Sequence, residues 1–136
     1  MYTEDDTIGE ILLDLFEKDD FVARRRACLL VLDIVPKEEH LTDDRSKLRN
    51  LLTANLPEED FVSEIVSFRG DRCRRMDGPE ERTIPYKLLG LILSLWLTDG
   101  GPDWLYDCTG WIDQFLRDEE VDTTETHGKM LEEFGG

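Results

Sequence analysis

The chain has few cysteines, few positive charges and no apolar run long enough to cross a membrane. Its three cysteines, Cys28, Cys73 and Cys108, are odd in number and far apart, which argues against a disulfide framework and for a reducing compartment. The longest strongly apolar stretch, 88–97, has ten residues, whereas a helix needs about 20 to span a bilayer. Residues 1–10 also lack the basic and apolar regions of a secretory signal. We therefore expect a cytoplasmic protein that does not enter a membrane.

Positive charge is scarce at both ends of the chain. The 136 residues carry 32 Asp and Glu against 16 Lys and Arg, a net charge of −16. Residues 1–20 hold a net −7 and residues 91–136 a net −9, whereas the charges of residues 21–90 sum to zero. Nucleic acids and anionic membranes bind cationic surfaces, so this distribution disfavours both as partners. It suits a basic partner protein, or a role in solubility or salt tolerance alone.

Motifs for a metal, a nucleotide or catalysis do not stand out in the sequence. The two histidines, His40 and His127, have no Cys or His at metal-ligand spacing, and a zinc site needs three or four protein ligands. The pair Gly100-Gly101 precedes a proline and lacks the Lys-Ser/Thr that ends a phosphate-binding loop. We expect neither a metal nor a cofactor.

Among the cysteines, Cys73 is the candidate reactive thiol. It lies between Arg72 and Arg74, and positive neighbours favour the thiolate. No paired base is visible, so an enzyme is not expected, and the alternative is an exposed loop thiol without a role. The other two cysteines lie in apolar stretches and are expected to be small core residues.

Hydrophobic spacing predicts helices, because apolar residues recur every three or four positions and clean period-two runs are missing. Asp20 and Thr42 are predicted N-caps, and Pro57 and Thr83 mark two further helix starts. For residues 27–35 a strand remains an alternative. The predicted helices cover 4–18, 20–35, the stretch from 42 to 52, 57–68, 83–97 and 103–116, with a loop at 69–81.

These elements predict an all-α fold, a single compact bundle of five to six helices around a central apolar helix at about 83–97. The helical domain is expected to cover residues 1–117. Residues 118–136 are expected to form an acidic tail that is partly ordered or disordered.

The arginine clusters allow three interpretations and the aromatic residues allow two. Arg24–Arg26 and the arginines of 69–75 could contact phosphate, pair internally with the acidic helices, or form a docking patch for the protein's own acidic tail or a second subunit. The net charge disfavours phosphate of nucleic acid. Asp33 is the one carboxylate inside a strongly apolar run, and if it is buried we expect it to pair with an arginine of the middle segment. Trp104, Trp111 and Phe115 share one helical face, which, like Trp96, is expected to belong to the core unless part of it is exposed at an interface.

The favoured hypothesis is a cytoplasmic interaction module, an acidic regulator or inhibitor of a basic partner protein. In size and acidity the chain is similar to immunity proteins and antitoxins, a likeness of composition that rests on no shared motif. The alternative is a structural or adaptor subunit that forms a homo-oligomer, with its acidity serving solubility or salt tolerance. The residues expected to bind the partner are Asp5, Asp6, Trp104, Trp111, Phe115, Asp118 and Glu119.

Overall fold

The computed structural model describes residues 2–34, 42–76, 84–96 and 102–135. Within these ranges the chain forms seven helices and no strand, which confirms the all-α prediction and exceeds the expected five to six helices. The helices are α1 (Ile8–Glu17), α2 (Phe21–Leu32), α3 (Thr42–Thr53), α4 (Glu58–Met76), α5 (Ile84–Trp96), α6 (Pro102–Asp118) and α7 (Thr124–Phe134).

Helix α1 begins four residues later than the sequence predicted. Thr7 is its N-cap, and the hydroxyl oxygen of Thr7 accepts a hydrogen bond from the backbone N–H of Glu10 at 3.1 Å. The acidic residues 4–6 therefore lie in a turn before the helix, which the backbone N–H of Asp6 closes onto the carbonyl oxygen of Thr3 at 3.0 Å. A threonine side chain that satisfies a free N–H sets this boundary more firmly than acidic composition does.

Helix α2 settles the choice between helix and strand for the apolar run that begins at Ala27. Asp20 caps it as predicted, with its carboxylate accepting from the N–H of Ala23 at 3.1 Å. The helix ends at Leu32, and Asp33 is the C-cap. Asp33 is exposed at this end of the helix and not buried, and its carboxylate still pairs with an arginine of the middle segment, Arg49 of α3.

Helix α4 is longer than predicted. The expected loop at 69–81 is wrong for residues 69–76, which continue the helix and include Cys73. Arginine and methionine are good helix formers, and a single internal glycine, Gly70, costs about 1 kcal/mol, which the other residues of a 19-residue helix can offset. Residues 77–81 of the expected loop and the expected N-cap Thr83 lie outside the described residues.

Helix α2 is packed on several sides and shares the central position that the sequence assigned to α5. It contacts α1, α3, α5 and α7, whereas α5 contacts α2, α4 and α6. Its two clusters of apolar side chains, Ala27-Cys28 and Val31-Leu32, are fully buried. The centre of the bundle is therefore built from both helices, because both turn fully buried apolar side chains to their neighbours.

An aromatic cluster joins four of the helices. The rings of Phe16, Phe21, Phe61 and Trp96 pack edge to face, with ring centroids 4.8 Å apart for Phe61 and Trp96 and 5.3 Å apart for Phe16 and Trp96. Edge-to-face pairs add about 0.5–1.5 kcal/mol beyond the apolar area they bury. Trp96 is thus a core residue, as predicted.

Each arginine of the first cluster, Arg24–Arg26, interacts with another group of the protein. Arg24 pairs with Asp19 at 2.9 Å, and Arg26 pairs with Glu133 of α7 at 3.1 Å. Arg25 donates to the carbonyl oxygen of Ala54 at 2.5 Å. Internal pairing, the alternative to phosphate binding, is therefore what this cluster does.

Helix α7 occupies residues that the sequence assigned to an acidic tail. Met130 is fully buried and Thr126 nearly so, while Leu131 and Phe134 pack against the core. The spacing of Met130, Leu131 and Phe134 gives the helix one apolar side, and that side docks on α2 and α1. The spacing of the apolar residues, and not the acidic composition, therefore indicates the structure of this segment.

Helices α1 and α6 cross closely at Gly9. A Cβ atom placed on Gly9 would lie 2.3 Å from the carbonyl oxygen of Thr109 and 2.4 Å from Oδ2 of Asp113. The first neighbour is backbone and cannot rotate away, so only glycine fits at this crossing.

We expect Gly9→Ala to lower the free energy of unfolding by about 2–3 kcal/mol, because the added methyl must push the two helices apart. Gly128→Ala is the matched control, since a Cβ at that position would meet nothing within 4 Å. That change should raise stability by about 0.5–1 kcal/mol through helix propensity alone. Urea denaturation followed by circular dichroism measures both, and equal effects of the two variants would contradict the close crossing.

Candidate functional site

Helix α6 has one side in the core and an exposed side that carries aromatic residues. Cys108, Ile112 and Leu116 are buried among the other helices. On the exposed side, Tyr106 retains 67% and Trp111 retains 58% of its accessible surface. Two large aromatic side chains of one helix are therefore available to a partner.

The three residues of the predicted aromatic face, Trp104, Trp111 and Phe115, differ in their exposure to solvent. Trp104 and Phe115 are half-buried and pack against the core, as their spacing suggested. Trp111 lies between them in sequence and on the same side of α6, but at the edge that faces solvent. The core interpretation holds for Trp104 and Phe115, and the interface interpretation remains open for Trp111.

A carboxylate of α6 holds the start of α1. Oδ2 of Asp113 accepts from the hydroxyl of Thr7 at 2.6 Å, and Oδ1 accepts from the backbone N–H of Gly9 at 2.8 Å. Free N–H groups at a helix start need acceptors and favour negative charge. Asp113 thus caps α1 from a distant part of the chain, a role that the sequence did not reveal.

Beside this contact lies an acidic cleft of about 550 Å³. Its acidic lining residues come from the N-terminal segment, α1, α6 and the α6–α7 connection, and they are Glu4, Asp5, Asp6, Glu10, Asp113 and Glu120. Arg117 and His127 are the basic residues of the lining, and Gly110 exposes backbone to it. A cleft with six carboxylates and one arginine offers favourable pairing to a cationic side chain.

The N-terminal wall of the cleft is tied down at two further points. Nε2 of His127 lies 2.6 Å from the carbonyl oxygen of Asp6. At the other end, the hydroxyl of Tyr2 donates to Asp14, which also pairs with Lys18 at 2.8 Å. The hydrogen bonds from Lys18 and Tyr2 lower the pKa of Asp14, while burial and the neighbouring carboxylate raise the pKa of Tyr2.

The structure brings some of the predicted partner-binding residues together. Asp5 and Asp6 line the cleft, and Asp118 and Glu119 are exposed at the C-terminal end of α6. The carboxylate of Asp118 accepts from the side-chain amide of Gln114 at 2.7 Å. The cleft borders the exposed side of α6 at Gly110 and Arg117, whereas Trp111, Asp118 and Glu119 are exposed without being among its lining residues.

The two core cysteines are as predicted. Burial raises the pKa of the Cys28 thiol to about 12, partly offset by the indole of Trp96, and burial also raises that of Cys108 to about 12. Sγ of Cys108 donates to the carbonyl oxygen of Leu91 at 3.5 Å. The side chain of Cys73 and the whole of His40 lie outside what the structure describes, so the prediction of a reactive Cys73 thiol stays a prediction.

Within the described part of the chain, no group of three or more His, Cys, Asp or Glu side chains is arranged to hold a metal ion. Among the helices described, none is both long enough and apolar enough to cross a membrane. No family model matches the chain, and no curated protein or solved structure is significantly similar to it.

We expect Asp113→Ala to lower the free energy of unfolding by about 2 kcal/mol, because it leaves the N–H of Gly9 without its acceptor. Asp113→Asn should lose less, since its amide oxygen can still accept one of the two hydrogen bonds. Asp118→Ala, an exposed change on the same helix, is the control and should cost less than 0.5 kcal/mol. Equal stability of the Asp113→Ala variant and the parent in urea denaturation would show that the contact does not hold α1.

We also expect Cys28 and Cys108 to resist alkylation in the folded protein. A rise of the pKa from 9.0 to about 12 lowers the thiolate fraction at pH 8 by about 1,000-fold, before any effect of burial on access. Iodoacetamide labelling followed by peptide mass spectrometry tests this, with the urea-unfolded chain as the control. Labelling of either thiol at the rate seen in urea would contradict the buried placement.

Proposed function

We propose that this protein is a cytoplasmic regulator or inhibitor that binds a basic partner protein, with the exposed side of α6 and the neighbouring acidic cleft as its binding surface. The observation that carries the proposal is Trp111, a large aromatic residue that is 58% exposed on a helix bordered by carboxylates. Exposed tryptophans are frequent energetic anchors of protein interfaces.

The charge around Trp111 supports a basic partner. On the exposed side of α6, Asp103, Asp107 and Asp118 outnumber Arg117, and the adjoining cleft adds further carboxylates. The arginines 24–26, which could have offset this charge, interact with other groups of the protein: Arg24 and Arg26 pair with carboxylates, and Arg25 donates to a backbone carbonyl oxygen. Complementary charge of this kind raises the rate of association with a cationic protein and disfavours nucleic acid.

A second candidate, a structural or adaptor subunit that self-associates, draws support from a different observation. Val22 and Val66 are exposed on α2 and α4. Apolar side chains on several helices could meet in a homo-oligomer. Two copies with a net charge of −16 each would repel, so salt should strengthen that association and weaken binding to a basic partner.

Affinity capture from a native lysate at 50 mM and 500 mM salt, followed by binding measurements on the purified pair, separates the two candidates. A basic protein that binds directly at low salt and dissociates at high salt supports the regulator. A salt-resistant oligomer in light scattering, with no basic protein bound, would contradict it and favour the structural subunit.

We expect reversal of charge at the binding surface to slow association with that basic partner. The double variant Asp5→Lys/Glu119→Lys should lower the association rate constant at least fivefold at low salt and leave the dissociation rate nearly unchanged, because rim charges act mainly on encounter. Surface plasmon resonance measures both rate constants.

Glu59→Lys/Glu64→Lys on α4 is the matched control, because it alters net charge by the same amount at two exposed positions. Measured at the same salt concentration, it should change the association rate by less than twofold, because charges far from the interface act on the encounter only through the screened long-range field. Equal slowing by the two double variants would show that net charge, and not the α6 surface, directs the encounter.

A further inference from the structure

Gly110 lies within α6, yet the fold has no need of a glycine there. A Cβ atom at this position would meet nothing within 4 Å. An exposed glycine in a helix interior costs about 1 kcal/mol relative to alanine. The contrast with Gly9 is direct, since at Gly9 the neighbouring backbone excludes any side chain. The packing of this molecule therefore does not explain the glycine at position 110.

The surroundings of Gly110 are those of a binding surface. Tyr106 lies one turn before it and Trp111 directly after it, and both are exposed. Helix geometry places the two aromatic residues about 7.5 Å apart along the axis and about 140° apart around it, with Gly110 between them. Gly110 also borders the acidic cleft. The bare backbone at Gly110 is thus a notch with an aromatic residue on either side.

We propose that the exposed side of α6 is the docking surface for a cationic helix, which approaches the α6 backbone at Gly110. This inference rests on the proposed function and specifies the kind of partner segment. A residue without a Cβ lets the axes of two packed helices approach closely, and Tyr106 and Trp111 would then flank the docked helix.

The charge of the surface specifies a cationic helix. Asp103 and Asp107 precede the notch, Asp118 follows it, and the single arginine on this side, Arg117, donates to Gln114 at 3.0 Å. Lysine and arginine side chains of a docked helix would pair with these carboxylates and could stack on Tyr106 and Trp111. A docked helix of the same length would extend about 25 Å along the 17 residues of α6.

The test compares Gly110→Ala with Gly128→Ala, a second glycine in a helix interior where a Cβ would meet nothing within 4 Å. Its flanking side chains are charged or polar, Glu125 and Lys129 forming an ion pair at 3.1 Å. Because alanine favours helix at both positions, both variants should unfold at a higher temperature than the parent. Any loss of binding by Gly110→Ala then cannot result from misfolding.

The probe is a synthetic amphipathic peptide of 21 residues with lysine on one face and leucine and alanine on the other. A peptide with the same composition in scrambled order is the control. We expect the parent to bind the amphipathic peptide, with the peptide gaining helix in circular dichroism. Gly110→Ala should weaken this binding at least tenfold, because the added methyl enters a tightly packed contact, and Gly128→Ala should bind like the parent.

The outcomes test the docking of a cationic helix at Gly110 separately from the proposed function. Equal binding by the parent and Gly110→Ala, or equal binding of the scrambled peptide, would overturn the docking of a helix at Gly110. No binding of the peptide by the parent would overturn the cationic helix as the occupant. In either case the proposed function stands if a basic protein is captured in a salt-dependent manner, and it fails separately if none is.

Discussion

The contact between Asp113 and the start of α1 is the constraint on which the acidic surface depends. One carboxylate accepts from Thr7 and from the N–H of Gly9, and the absence of a side chain at Gly9 lets the two helices come close enough for it. This contact fixes where residues 4–6 lie, and these residues form one wall of the cleft. Asp113 therefore has a structural role, because both of its carboxylate oxygens accept hydrogen bonds from α1 and its N-cap. The negative charge that the cleft offers to a cation comes from its other carboxylates.

The distribution of charge inside the fold explains why the exterior remains acidic. Arg24, Arg25 and Arg26 act within the protein, over aromatic rings, on a carbonyl oxygen and across to α7. The guanidinium groups of Arg24 and Arg25 are thereby drawn toward the core, whereas Arg26 forms its ion pair with Glu133 at the surface. The acidic side chains of α1, α6 and the N-terminal segment keep their charge at the surface. An exposed tryptophan on such a surface is the feature that most favours a protein partner over solubility alone.

Sequence reasoning predicted the helical class, the N-cap of α2 at Asp20 and the core cysteines, because these depend on local spacing and capping. It placed the start of α1 too early, since acidic residues before a helix resemble those in its first turn until the Thr7 cap is seen. It missed the continuation of α4 past Gly70, where good helix formers outweigh one glycine. The exposure of Trp111 and the Asp113 contact could not be predicted, because each depends on how α1 and α5 pack against α6 and not on any local pattern.

The most direct test of this account is ¹⁹F NMR of the protein labelled with 5-fluorotryptophan, titrated with the basic partner recovered by affinity capture. The chain has three tryptophans, so Trp→Phe variants assign each resonance. The account predicts that the resonance of Trp111 shifts or broadens on binding, that of Trp96 in the aromatic cluster stays unchanged, and high salt reverses the effect. A partner that binds and leaves the Trp111 resonance unmoved would contradict it.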